Sequence, residues 1–154
     1  MNGWIQVLTG AMGTLGFATL FHLRGKKMLL SVLGGLLSWG IFLLLEPLFA
    51  GEATRYLLSA AVITIYSELL ARLMKTPTTT FLVPSFIPLI PGGALYYTMN
   101  YALNKQWSQF AQQAFYTLQL ALSLAVGIIA VTTVVRLLTS LRNKRKTHHH
   151  SICK

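Results

Sequence analysis

Glu46, Glu52 and Glu68 are the only carboxylate side chains in this 154-residue chain, which otherwise offers four histidines and one cysteine for acid–base, nucleophilic or metal chemistry. No two of the carboxylates sit at the spacing of a paired catalytic acid and base. His148, His149 and His150 are adjacent, so a regular helix cannot turn all three toward one metal, and in a basic tail they read as a solvated run. His22 reads as a polar residue at the edge of an apolar block. Cys153 stands alone in the tail, which excludes a disulfide framework and a cysteine-based metal site, and it is not four residues from the end as prenylation requires. Phosphate-cradling glycine loops and Ser-His-Asp sets are missing as well. The expectation is a chain that is not an enzyme and needs neither metal nor cofactor.

The chemistry the sequence does offer lies in its backbone. The stretch "KTPTTTFLVPSFIPLIPGGALYY", residues 75–97, holds four of the five prolines and a Gly-Gly pair. A proline lacks an N–H, and its ring crowds the carbonyl four residues back. A helix drawn through this stretch therefore frees the carbonyls of Thr80, Pro84 and Ile87, opposite Pro84, Pro88 and Pro91. At helical spacing these acceptors fall on nearly one side. Unsatisfied groups in hydrocarbon cost several kcal/mol each, so the stripe is expected to face protein or a wet cavity. Gly92 and Gly93 are expected to let the backbone unwind, and "ALYYTM" to begin a second half-helix whose N–H groups attract an anion. Such broken helices mark transporter binding sites, whereas a rigid kinked helix with satisfied carbonyls is the alternative.

The elements that must position this stretch are apolar. Hydrophobic residues make up 54% of the chain and charged residues 10%, too little polar surface for a soluble domain of this size. Five blocks are long enough to cross about 30 Å of hydrocarbon, at 4–21, 28–49, 56–74, 80–99 and 116–138. Alternating strand patterns are absent, which excludes a β-barrel. The predicted fold class is all-α: a single polytopic membrane domain over 1–154 with five transmembrane helices, the fourth broken by Pro and Gly, and a basic cytoplasmic tail at 139–154. The net charge of +10 falls between and after the apolar blocks, so it points to no nucleic-acid partner. Arg24, Lys26 and Lys27, then Arg72 and Lys75, then Arg142, Lys144, Arg145 and Lys146 mark one side as cytoplasmic, leaving Arg55 and Lys105 on the other. Five spans require those three places to share a side, so the N-terminus is expected outside and the C-terminus inside. Trp4, Tyr56, Tyr96, Tyr97, Trp107 and Tyr116 then gather near the outer interface. The first block carries no leading basic residue and no cleavage pattern, and reads as a retained helix.

Gly10, Gly13 and Gly16 in the first block, and Gly34, Gly35 and Gly40 in the second, let neighbouring helices approach closely, within this chain or from a partner. Residues 107–115 alternate Trp107, Phe110, Ala111, Ala114 and Phe115 with a glutamine-rich side, which predicts a short helix lying along the outer membrane surface. Glu52, beside Arg55, is expected to be solvated in an outer loop. Glu46 precedes Pro47 near the outer end of the second span. Glu68 lies deeper, four residues before Arg72 on the same helix face, either as a coupling group or as half of a local ion pair.

The run from Glu68 and Arg72 through the Pro84, Pro88, Pro91, Gly92 core to Tyr96, with a downstream loop, a last span and a basic tail, resembles the small subunit of the threonine/serine exporter family. That resemblance implies one half of a two-component secondary exporter in the bacterial cytoplasmic membrane, whose substrates are small hydrophilic metabolites such as threonine and serine or dicarboxylates like succinate. It also implies a larger partner subunit with five further spans, an inverted-repeat pairing that an odd number of spans suits; failing that, a homo-oligomer. Thr78, Thr79, Thr80, Ser85 and Tyr96 are candidate hydroxyl contacts beside Pro84, Pro88, Pro91, Gly92 and Gly93, and Glu68, with Arg72, or Glu46 is the candidate for proton or ion coupling. The competing classes are a structural or regulatory membrane subunit and a passive channel.

Overall fold

The computed structural model describes residues 3–151, with side chains through Leu141. Its order is α1 (Gly3–Leu20), α2 (Lys26–Leu44), α3 (Glu52–Met74), α4 (Thr79–Phe86), a 3-10 turn (Ile87–Leu89), α5 (Gly92–Leu103) and α6 (Trp107–Ser151), with no strand among the described residues. The all-helical class expected from the sequence holds. By length and composition α2, α3 and the Trp107–Leu141 part of α6 can each cross a membrane, and α4 with α5 form a fourth, bent pair. α1 is not among them, its apolar face being diluted by Gly, Thr and Gln6. The basic tail begins within α6. The side chains of Arg142, Lys144, Arg145, Lys146 and the histidines, and all of Cys153, lie outside the described residues.

Contacts fix the directions of the helices. Gly3 lies beside Leu43 and Gly35 beside Thr14, so α1 and α2 run antiparallel. Phe42 packs tilted against Tyr56 while the Tyr66 hydroxyl donates to the Leu30 carbonyl at 2.8 Å, which makes α2 and α3 antiparallel too. Glu52 meets Tyr116, Gly127 meets Leu57 and Arg72 meets Thr139, so α3 and α6 lie parallel. Phe42, Tyr56, Leu89 and Leu120, from four different elements, form the hydrophobic cluster at the end where α3 begins.

Small residues set how closely the helices approach. Side chains as short as Thr14, Ser31, Ser38, Ser59, Thr64 and Ser85 are fully buried. Several return their hydroxyl protons to their own helix, as Thr64 does to the Ala60 carbonyl at 2.7 Å and Ser38 to Gly35 at 2.8 Å. The expected glycine packing is realised selectively: Gly10 meets Pro88, Gly34 meets Ser85 and Gly35 meets Thr14, whereas Gly13, Gly16 and Gly40 face open space.

The sequence expectation for the segment before the last span is overturned. Residues 107–115 do not form a separate surface helix; they are the first turns of α6, which continues unbroken from Trp107. Ala and Gln favour helix, and no Gly or Pro separates Phe110 from Tyr116, so nothing ends the helix before the apolar segment begins. At about 1.5 Å per residue, α6 far exceeds the bilayer thickness.

A Cβ at Gly127 would stand 2.7 Å from the Leu57 carbonyl oxygen and 2.9 Å from the Ala60 Cβ. Gly127→Val is therefore expected to force α3 and α6 apart and to lower stability by about 1–3 kcal/mol. Thermal unfolding of detergent-solubilised protein measures this, with Gly13→Ala, whose Cβ meets nothing within 4 Å, as the control expected to keep or slightly raise stability.

Candidate functional site

α4 keeps Pro84 inside it, and the chain then tightens into the 3-10 turn before α5 departs at 58°. Ile87, which precedes Pro88, stays helical (φ −50°, ψ −46°). Ile90, which precedes Pro91, is extended (φ −65°, ψ 124°), and there the helix stops. The ring of the following proline disfavours the helical conformation at Ile90, so Pro91 is the residue that sets the break. The glycines do not act as the hinge expected of them. Neither adopts a positive φ, and both belong to the first turn of α5.

The freed carbonyls are also largely repaired. The Ile87 N–H donates to the Pro84 carbonyl, and the Ile90 N–H donates to the Ile87 carbonyl at 3.2 Å. Both are the i to i+3 bonds of a tightened turn, which replace the bonds that Pro88 and Pro91 cannot donate. The expected stripe of three open acceptors is thus reduced by the local geometry.

The break instead opens a pocket of about 390 Å3. Pro91, Gly92, Gly93 and Ala94 form one wall, Trp39 and Tyr56 another, and Glu52, Tyr97, Gln113, Tyr116 and Leu120 complete it. A Cβ at Gly92 or Gly93 would meet nothing within 4 Å, so backbone is presented to open space at the start of a 12-residue helix. The Gly92 N–H is engaged by the Ile90 carbonyl at 2.6 Å. The next N–H groups, of Gly93 and Ala94, belong to the helix end that lacks partners within the helix and carries partial positive charge.

Glu52 is the charged side chain in this wall; it is exposed, as the sequence suggests, but sequence does not place it among the site residues. It begins α3 rather than ending a loop, accepts a hydrogen bond from the Tyr116 hydroxyl and lies 3.6 Å from the Arg55 guanidinium. Arg55 is buried, lies over the Phe42 ring at 5.0 Å, and leaves its Nε without a partner among the described residues. The Glu52–Arg55 spacing of three residues was the available signal; what hid its importance was that Tyr116, 64 residues later, closes the group.

The remaining sequence candidates divide. Pro91, Gly92 and Gly93 line the pocket. Pro84 and Ser85 are buried in packing, with the Ser85 hydroxyl donating to the Ser31 carbonyl at 3.3 Å, and Pro88 rests against Gly10. Thr79 and Thr80 start α4, away from the pocket lining. Tyr96 is exposed and stacks edge-on against Tyr97, which does line the pocket. Glu68 and Arg72 share α3 as expected, but Arg72 donates to the Thr139 hydroxyl at 2.7 Å, and among the described residues the two form no ion pair. Glu46 is exposed in the turn after α2. Of the aromatic residues expected at one interface, Tyr56, Tyr97 and Tyr116 meet at the pocket, while Trp4 lines a separate apolar hollow with Leu43 and Leu44.

Tyr116→Phe removes one donor from Glu52 and is expected to lower stability by about 1 kcal/mol. Arg55→Ala is expected to lower it further, because packing on Phe42 is lost together with the charge. Melting temperatures of the two variants in detergent check the order; Arg55→Ala melting no lower than Tyr116→Phe would contradict the packing described.

No curated protein and no solved structure matches the chain. A family model described as "Threonine/Serine exporter, ThrE" matches residues 6–134, most of its length and the whole of the broken-helix pocket. The proline break, the pocket it opens and this match lead to one conclusion: the chain belongs to the threonine/serine exporter family of membrane transporters.

Proposed function

We propose that this chain is the membrane half of a two-subunit secondary exporter that moves small hydrophilic metabolites out of the cell, either threonine/serine-type amino acids or dicarboxylates such as succinate. The observation that carries the proposal is the pocket at the Ile90–Pro91 break, which the start of α5 and the Glu52 side chain both line. A substrate carboxylate would take the N–H groups at the start of α5. Pro91, Gly92 and Gly93 would touch the substrate, while Pro84, Ser85 and Pro88 would hold the broken helix against α1 and α2.

Five crossings follow if α1 is counted with the others. The antiparallel packing of α1 on α2 and of α2 on α3, and of α5 on α6, where Thr98 meets Thr117 and Tyr101 lies beside Gln109, supports that count, and the distribution of Lys and Arg supports an outer N-terminus and a cytoplasmic C-terminus. The chain would sit in the bacterial cytoplasmic membrane. A pocket bounded by so few helices is open on one side, which supports a larger five-span subunit as the partner that encloses it, or failing that a second copy. Glu68, half-buried in α3 and unpaired with Arg72, keeps the coupling role; Glu46 is its rival from the exposed turn.

Because Gly93 borders open space, a side chain there fills the pocket without disturbing the packing. In cells carrying both subunits, Gly93→Leu is expected to lower efflux of radiolabelled threonine or succinate by roughly tenfold or more, at equal membrane levels. Efflux equal to that of the unaltered protein would sink the assignment of this pocket. Wild-type efflux that persists unchanged after collapse of the proton gradient would point to passive flux instead.

A further inference from the structure

The glutamines of early α6 have no role in the pocket described so far, apart from Gln113. Gln109, Gln112, Gln113 and Tyr116 recur at i, i+3, i+4 and i+7, a single stripe about 10 Å long on one helix face. Such a face ordinarily meets bulk water. Here its exposed Gln109 and Gln112 and its half-buried Gln113 and Tyr116 border, with Tyr101 of α5, a second and open hollow of about 380 Å3, whose walls carry amide and phenol groups on apolar stems and rings and no charge. Gln113 and Tyr116 line both hollows, so the two adjoin. The Tyr116 hydroxyl, which donates to Glu52, holds that ring at the junction. Beyond it the stripe ends at Leu120, which is buried in the hydrophobic cluster.

We infer that the glutamine-lined hollow is a second substrate subsite, a vestibule in series with the break pocket, and that Tyr116 is the barrier between the two. The ligand class follows from the lining. Amides and phenols donate and accept hydrogen bonds without charge, so the vestibule takes small solutes rich in hydrogen-bonding groups, zwitterion and acid alike. A neutral subsite binds a solute without trapping it, as passage through successive sites requires. The charged selection is left to Glu52 and the start of α5. This inference rests on the transport reading of the break pocket, and the experiment separates the two.

The test is thiol labelling in cells expressing the full chain and the proposed larger subunit, in a Cys153→Ser background. Gln112→Cys and Gly93→Cys are exposed to a membrane-impermeant thiol reagent from either face, with and without threonine or succinate. Labelling from one face is expected to be faster at Gln112→Cys. A barrier open about 10% of the time makes the difference on the order of tenfold. Adding Tyr116→Ala, or Tyr116→Phe, which keeps the ring and loses only the latch to Glu52, is expected to speed labelling at Gly93→Cys and leave Gln112→Cys unchanged. The unchanged rate shows that the fold survives. One of the two solutes is expected to protect both positions. Equal rates at the two cysteines, insensitive to Tyr116, would overturn the barrier. Protection of Gly93→Cys alone would overturn the vestibule and leave the break pocket standing. Protection of Gln112→Cys alone would do the reverse, and protection of neither would overturn the subsite.

Discussion

The peptide bond before Pro91 is the constraint on which the rest of the molecule depends. Within an apolar helix, a backbone that stops donating hydrogen bonds must be repaired or covered, because hydrocarbon offers no partner. The chain does both. Tightening into a 3-10 turn returns donors to the Pro84 and Ile87 carbonyls, and the turn is packed against α1 and α2. What is left is a helix start at Gly92 that no local carbonyl precedes in helical register, and a pocket in front of it.

Covering the break requires close packing, which small residues provide. The Ser85 hydroxyl reaches the Ser31 carbonyl because Gly34 has no side chain in the way; a Cβ there would overlap Ser85. Gly35 admits Thr14 and Gly127 admits the backbone of α3 in the same manner. In a lipid setting these approaches draw on dispersion and on short hydroxyl bonds rather than on expulsion of water. The larger residues Phe42, Tyr56, Leu89 and Leu120 gather at one end, beneath the pocket, and hold the α2, α3 and α6 walls in place.

Charge placement follows a different logic from that suggested by spacing along one helix. Glu68 and Arg72 share a face of α3, yet Arg72 turns to Thr139 on α6. Glu52 and Arg55 are held together by contacts from other elements: Phe42 beneath the guanidinium and Tyr116 on the carboxylate. The ionic group that matters to the pocket is thus the one whose surroundings are supplied by distant sequence.

Sequence by itself determined the helical class, the positions of most helices, the proline break and the existence of a second half-helix after it, which the structure starts two residues earlier than expected, at Gly92. All of these depend on local facts: apolar runs of a given length, a ring that removes an N–H, a residue biased away from helix because proline follows it. Tertiary structure alone decided that Pro91 and not the glycines makes the break, since the flanking turn absorbs Pro84 and Pro88. It also decided that residues 107–115 extend α6, and that Glu52 rather than Glu46 or Glu68 stands at the pocket. For the charged groups the physical reason is separation along the chain. A side chain's partners across the bundle, such as Tyr116 for Glu52 or Thr139 for Arg72, lie more than 60 residues away, and no spacing rule within a single helix can place them.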